Sequence, residues 1–269
     1  MPTKLQHFLI NVRHLSQMIL SGSVFSTIIN WPDFIREYFY MSPGKKVTIV
    51  LKDGTKFKLR ANSTDKWSIH EIILRDDYNI TRLTEQKPVI LDLGAAEGVF
   101  TVYALKKYPN GRVIALEPTK ENYNLLKENV SLNRLDDRVT TLPYACSSES
   151  GFSLLYLSVD KRAHSLMGSF SQETVTIHTI SLPDLFAKYH LTYCDFMKID
   201  IEGSEYDIFY HLPFPFFKKI KRISMECHNL DKDQKNGAFL TQFLKKQGYS
   251  VEYHESLDGS VGQLFAHHF

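Results

Sequence analysis

The sequence predicts an α/β fold: a seven-stranded, mostly parallel sheet with helices on both faces, preceded by an N-terminal helical and hairpin extension. Three observations lead there. From Pro88 onward, short apolar runs alternate with longer amphipathic stretches. One of those runs, Val89-Ile90-Leu91-Asp92-Leu93, passes through a glycine-bounded turn directly into a helical pattern. The length of 269 residues, 43% hydrophobic and 23% charged, suffices for one large domain with an appendage and is tight for two full-size domains.

The elements follow in chain order. Residues 3 to 20 place Leu5, Phe8, Leu9, Val12, Leu15 and Ile19 at helical spacing, with Gly22 as the stop. This amphipathic helix is expected to dock on its own domain or on a second subunit, as in a homo-oligomer. Contact with a membrane surface is the lesser alternative, since the polar face carries few lysines. Val47 to Leu51 and Lys56 to Arg60 flank Lys52-Asp53-Gly54-Thr55 and read as a hairpin around an Asp-Gly turn. The extension is assigned to residues 1–64 and the main domain to 65–269. Strands are expected at 89–93, 112–116, 138–142, 195–200, 220–226, 249–254 and 261–267, and helices at 98–108, 119–131, 181–189, 204–210 and 233–246. The last helix sets Phe239, Leu240, Phe243 and Leu244 on one face and is followed by Gly248, which suits a left-handed cap. His178 alternates with Thr176 and Ile180 and reads as a strand residue without a further role.

Composition excludes several classes of function. A net charge of +2 gives no support for a nucleic-acid partner, and the basic run Lys218, Lys219, Lys221 and Arg222 reads as a solvated edge before a strand. Cys146, Cys194 and Cys227 lie far apart with no CxxC pair, so neither a zinc knuckle nor a disulfide framework is indicated. No apolar run is long enough for a spanning helix, and Asn11, Arg13 and His14 interrupt what would be the core of a signal peptide. A cytoplasmic protein is expected.

The turn Gly94-Ala95-Ala96-Glu97-Gly98 follows the first predicted strand of the main domain. In open parallel sheets ligands bind at such turns, outside the carboxyl ends of the strands. Gly94 and Gly98 are expected to let the backbone approach a ligand. A dinucleotide site needs G-x-G-x-x-G, whereas here the spacing is G-x-x-x-G and Glu97 stands where a phosphate would lie. S-adenosylmethionine, which has no phosphate and carries a positive sulfonium, fits this turn and gains from nearby Asp92. The second strand ends in Glu117-Pro118, where a carboxylate can accept hydrogen bonds from both ribose hydroxyls. The third ends near Pro143-Tyr144-Ala145-Cys146, whose backbone and small side chains, Ala145 among them, can flank an adenine ring. The expected cofactor set is Asp92, Gly94, Ala95, Gly98, Glu117, Pro118, Ala145 and Asp200.

From about residue 65 to 254 the chain resembles the FkbM family of methyltransferases. The likeness rests on Asp92 through Phe100, Glu117-Pro118-x-x-x-Asn122, Leu182-Pro183-Asp184-Leu185, Asp195 through Glu205, and Met225-Glu226-Cys227-His228. The stretch Lys198-Ile199-Asp200-Ile201-Glu202-Gly203-Ser204-Glu205 is the most telling. Ala96-Glu97 departs from the family, which often has Asn and then an apolar residue there. The resemblance implies a class I, Rossmann-like methyltransferase sheet of seven strands and O-methylation of a natural product or saccharide.

The residues themselves point to the same chemistry. Asp200 and Glu202 are two apart, as are Glu226 and His228, so on neighbouring strands they would converge at one sheet edge. Methyl transfer to a hydroxyl needs a proton acceptor. The catalytic candidates are His228, Asp200 and Glu226, with His228 read as general base, as structural hydrogen-bonding residue or as metal ligand. A divalent metal held by Asp200, Glu226 and His228 is the alternative and is not favoured. Ser158 to Ser171, with Lys161, Arg162, His164 and Ser165, reads equally as an acceptor loop or an exposed connection. The competing functions are a nicotinamide-dependent oxidoreductase and a non-catalytic binding protein of the same fold.

Overall fold

A computed structural model describes residues 12, 15–16, 18–157, 165–166 and 173–268. The described residues form twelve strands, β1 to β12 in chain order. The hairpin comprises β1 (Lys46–Val50) and β2 (Lys56–Arg60). The main sheet is built from β3 (Val89–Leu93), β4 (Arg112–Leu116), β5 (Val139–Leu142), β9 (Phe196–Ile199), β10 (Arg222–His228), β11 (Ser250–Glu255) and β12 (Val261–His267), in the spatial order β11-β12-β10-β9-β3-β4-β5. Only β12 runs antiparallel to its neighbours. The expected sheet of seven mostly parallel strands is therefore present.

β3 is buried along its whole length because both faces of the sheet are covered. Alternation sends Ile90 into one core and Val89, Leu91 and Leu93 into the other. On the first face lie α2 (Val99–Lys107) and α3 (Lys120–Leu132), together with the extension: Phe34 and Tyr38 of α1 (Trp31–Tyr38), Ile49 of β1, and Phe57 and Leu59 of β2. The extension thus completes the domain core and forms no separate core of its own. Two asparagines dock β2, Asn129 on α3 and Asn133 at the cap that ends it: each accepts from and donates to its backbone, at Lys58 (2.6 and 2.9 Å) and Lys56 (3.0 and 2.6 Å). Their amides act as an extra strand on an edge that would otherwise be open. On the second face lie α4 (Leu182–Lys188), α5 (Glu205–His211) and α6 (Gly237–Lys246).

Several elements depart from the expectations. α6 begins at Gly237 and not at residue 233, because Asp231 Oδ1 collects the N–H groups of Asp233, Gln234 and Lys235 into a loop and Asn236 then caps the helix through Phe239 N. A separate three-stranded sheet, β6 (Tyr144–Ser147), β8 (Thr174–Ser181) and β7 (Gly151–Tyr156), was not anticipated; it contains His178, in extended chain as expected. Ile69–Leu74 forms a π-helix, a local geometry often found at functional sites. In the N-terminal helix, Leu15 is buried but Val12 and Ile19 are exposed, and Met18 fills the core in their place. Leu5, Phe8 and Leu9 lie outside the described residues. Among the described residues no helix is long and apolar enough to cross a membrane.

Candidate active site

β3 feeds the turn at residues 94–98, whose two glycines are required by the protein itself. A Cβ on Gly94 (φ +79°) would lie 1.9 Å from the Asp200 carbonyl oxygen, and one on Gly98 (φ +84°) would lie 2.5 Å from Leu126 Cδ1. Gly94 lets β3 and the end of β9 meet, while Gly98 seats α3 and does not line the cavity described below. Gly94 does line that cavity, so the expectation that both glycines open the backbone to a ligand is corrected for Gly98 alone. Ala96, between them, holds a left-handed φ of 46°.

Beside the turn opens a cavity that mixes apolar walls with several carboxylates, the kind of lining that small-molecule sites have. One end is bounded by Gly94, Ala95, Glu117, Pro118, Tyr144 and Ala145. Glu117 is buried at the end of β4, accepting from Thr119 N and Oγ1 (2.9 and 2.6 Å) with Oε1 and from Ala96 N (3.0 Å) with Oε2. Burial raises its pKa against these donors. A carboxylate has about four acceptor sites, so Oε2 retains capacity for a ligand.

Asp92 does not line the cavity. It is fully buried beneath the turn, accepting from Thr101 Oγ1 at 2.5 Å, with Lys198 Nζ 3.4 Å away. The expected direct contact with the cofactor is thus replaced by a structural role. Lys198 is its in-register neighbour on β9 and donates to the Gly94 carbonyl at 2.6 Å, tying the turn to the strand. The sequence marks this role of Lys198 only by a charge inside the apolar run Phe196-Met197-Lys198-Ile199.

At the other end stand Asp200 and Glu202, with Ser68, Glu71, Ile72 and Tyr78 from the segment ahead of β3. Tyr78 Oη donates to Asp200 Oδ2 at 2.9 Å. Neither Tyr78 nor Glu71 was singled out beforehand, because nothing in the local sequence marks them. β9 and β10 are parallel neighbours, which brings Glu226 and His228 to the same edge. Asp200, Glu226 and His228 place one ligand atom each within 4.8 Å of one another. Glu202 reaches them from a turn beyond β9, at a left-handed φ of 54°, and so not by strand alternation as expected. Ser165 Oγ donates to the Glu202 carbonyl at 2.5 Å and Leu166 lines the cavity; of the expected acceptor loop these two are described, and the remainder, including Lys161, Arg162 and His164, lies outside the described residues.

His228 sits among carboxylates. Its Nδ1 lies 2.9 Å from Glu205 Oε1, and its Nε2 lies 3.1 Å from Glu202 Oε2 and 3.5 Å from Glu226 Oε1. Burial alone would lower its pKa, but the charges and hydrogen bonds of Glu205 and Glu202 outweigh that and push it up to about 12. In this state the imidazolium keeps its proton at neutral pH, so the reading of His228 as general base is corrected. Burial pushes Glu226 up to about 8, with Asp200 adding to the shift, and burial likewise raises Glu202.

These features suit S-adenosylmethionine better than a dinucleotide. The buried Glu97 lines the cavity where a pyrophosphate would need donors, and Asp200 and Glu202 make the far end acidic, as a sulfonium requires. The Ser204 hydroxyl, buried in the wall, has no hydrogen-bond partner among the described residues, as expected of a group that a ligand satisfies.

Comparison with known proteins agrees. The Methyltransferase FkbM domain matches residues 92–251. Methyltransferase sdnD of Sordaria araneosa is 25% identical over 187 residues, covering 58% of this chain and 72% of that protein. The 31-O-demethyl-FK506 methyltransferase FkbM of Streptomyces tacrolimicus is 23% identical over 203 residues, 63% of this chain and 77% of its own. A crystal structure of a SAM-dependent methyltransferase from Agrobacterium tumefaciens shares the fold, with a TM-score of 0.50 at 10% identity over 84% of this chain and 71% of that one. The nicotinamide and non-catalytic alternatives are set aside by these matches. With its matched segment spanning more than half of the sequence, the chain belongs to the FkbM family and is an S-adenosylmethionine-dependent methyltransferase.

Proposed function

We propose that this enzyme methylates a hydroxyl oxygen of a saccharide or another small-molecule natural product. One observation carries the reading: the cofactor turn and a carboxylate-rich edge share a single cavity. When bound, S-adenosylmethionine supplies an activated methyl group on a positively charged sulfur. Glu117 would hold its ribose, Pro118, Tyr144 and Ala145 its base, and the backbone at Gly94 and Ala95 its remaining polar end.

A hydroxyl acceptor must lose a proton, and the acidic edge provides the acceptor. Asp200 Oδ2 is already engaged, accepting from Tyr78 Oη with Lys198 Nζ 4.0 Å away. Glu202 lines the cavity and has a pKa raised by burial, which brings it nearer the working pH. Its role is to take the hydroxyl proton, with His228 holding its carboxylate in place. Alignment of acceptor and donor by the cavity walls supplies much of the remaining rate. The Streptomyces relative's name specifies oxygen-directed transfer, which supports the choice of a hydroxyl.

The test is transfer of labelled methyl from S-adenosylmethionine to panels of hydroxylated and of amine acceptors. Product labelled on oxygen is expected, with Glu202→Gln lowering kcat at unchanged affinity for S-adenosylhomocysteine. Transfer confined to nitrogen or carbon would overturn the assignment.

A further inference from the structure

The structure assigns a divalent metal site to Asp200, Glu226 and His228, of which Asp200 lines the acceptor end of the cavity. This rests on the methyl-transfer reading of that cavity and adds a cofactor to it. Two neighbouring strands contribute: Asp200 directly follows the end of β9, while Glu226 and His228 belong to β10, His228 as its last residue. Their ligand atoms lie within 4.8 Å of one another, a span that two metal–ligand bonds of about 2.0–2.2 Å close with small side-chain movements.

Acidic groups gathered at a surface are common, and what distinguishes this set is that each ligand is held by its own outer partner. His228 Nδ1 lies 2.9 Å from Glu205 Oε1, a carboxylate that is completely buried. That partner fixes the ring so that Nε2 faces Glu202 and Glu226. Tyr78 Oη donates to Asp200 Oδ2 at 2.9 Å, and Gln263 Nε2 to Glu226 Oε2 at 3.2 Å. A histidine backed by a carboxylate, with hydrogen-bonded carboxylate ligands beside it, is the outer-shell pattern of metal sites.

Charge points the same way. Asp200, Glu202, Glu205 and Glu226 surround one imidazole, and Lys198, 4.0 Å from Asp200, is shared with Asp92 and the Gly94 carbonyl. A divalent ion there places positive charge where four carboxylates crowd. Two carboxylate oxygens and one imidazole suit Mn²⁺ or a similar first-row ion, and three protein ligands leave positions open for water and the acceptor oxygen. There the ion would lower the pKa of the acceptor hydroxyl, whose proton passes to Glu202.

The experiment uses the full chain, treated with chelator and then titrated with MnCl₂, free Mn²⁺ being followed by electron paramagnetic resonance. S-adenosylhomocysteine affinity is measured on the same samples. One Mn²⁺ per chain is expected. His228→Ala and Glu226→Gln should abolish the site, and Glu205→Gln, which removes no ligand, should weaken it by about 10–100-fold, all with S-adenosylhomocysteine binding retained. Protein that binds S-adenosylhomocysteine but no Mn²⁺, or a His228→Ala variant that binds Mn²⁺ as wild type does, overturns the metal site and leaves the methyl-transfer reading intact. Stoichiometric Mn²⁺ binding without S-adenosylhomocysteine binding would instead overturn that reading.

Discussion

Replacement of Lys198 by Met tests the buried pair beneath the cofactor turn. Lys198 is 4% exposed and Asp92 is fully buried, with Nζ 3.4 Å from Oδ1. Met keeps most of the side-chain volume but leaves Asp92 with Thr101 as its remaining hydrogen-bond donor. Breaking a buried pair from one side costs about 3–5 kcal/mol, because the orphaned charge stays out of water. For a domain of this size that corresponds to a fall in Tm of roughly 6–20 °C. Lys198→Met also removes the donor to the Gly94 carbonyl, a charge-assisted bond worth about 1.5–3 kcal/mol, so S-adenosylhomocysteine affinity should fall roughly tenfold or more. Urea unfolding and titration calorimetry read the two effects separately. The double variant Asp92→Asn/Lys198→Met should regain most of the stability, since neither charge then remains. A single variant within about 1 kcal/mol of wild type, or a double variant no better than the single, would refute the reasoning.

Three further outcomes are expected. Gly94→Ala should destabilise the fold by about 2–4 kcal/mol, combining a strained φ with a backbone clash, and by more than Gly98→Ala, whose nearest obstacle is the movable Leu126 side chain; denaturation midpoints in the reverse order would contradict this. Glu117→Gln should weaken S-adenosylhomocysteine binding by roughly 10–100-fold, the loss of a charge-assisted interaction, as measured by calorimetry. His228, held at about 12 against 6.5 when unpaired, contributes stability that is complete below pH 6.5 and fades as the pH climbs toward 12. In chelator-treated protein its imidazolium nitrogen resonances should stay unchanged from pH 6.5 to 9, and a midpoint near 6.5 would show that the carboxylates do not hold it.

Much of the molecule was legible in the sequence because it follows from local periodicity. The apolar runs that became β3, β4 and β12 are long enough, and bounded sharply enough, for hydrophobic burial to fix their extent. The Asp-Gly hairpin and the Gly248 cap follow from backbone conformations that few residues adopt. Spacing in the turn at residues 94–98 separated a sulfonium ligand from a dinucleotide, since Glu97 and the missing middle glycine are covalent facts of the chain. Tertiary structure decided what each of those residues touches. Gly94 and Gly98 yield to Asp200 and Leu126, and Asp92 turns to Lys198, because strand neighbours and packed helices come from distant parts of the chain. The charge of His228 is likewise set by Glu202, Glu205 and Glu226, which a spacing rule can bring to one edge but cannot orient. Tyr78 and Glu71 enter the cavity from a segment with no motif, placed by packing of the extension on the first face of the sheet, a consequence of the shared core that no local pattern encodes.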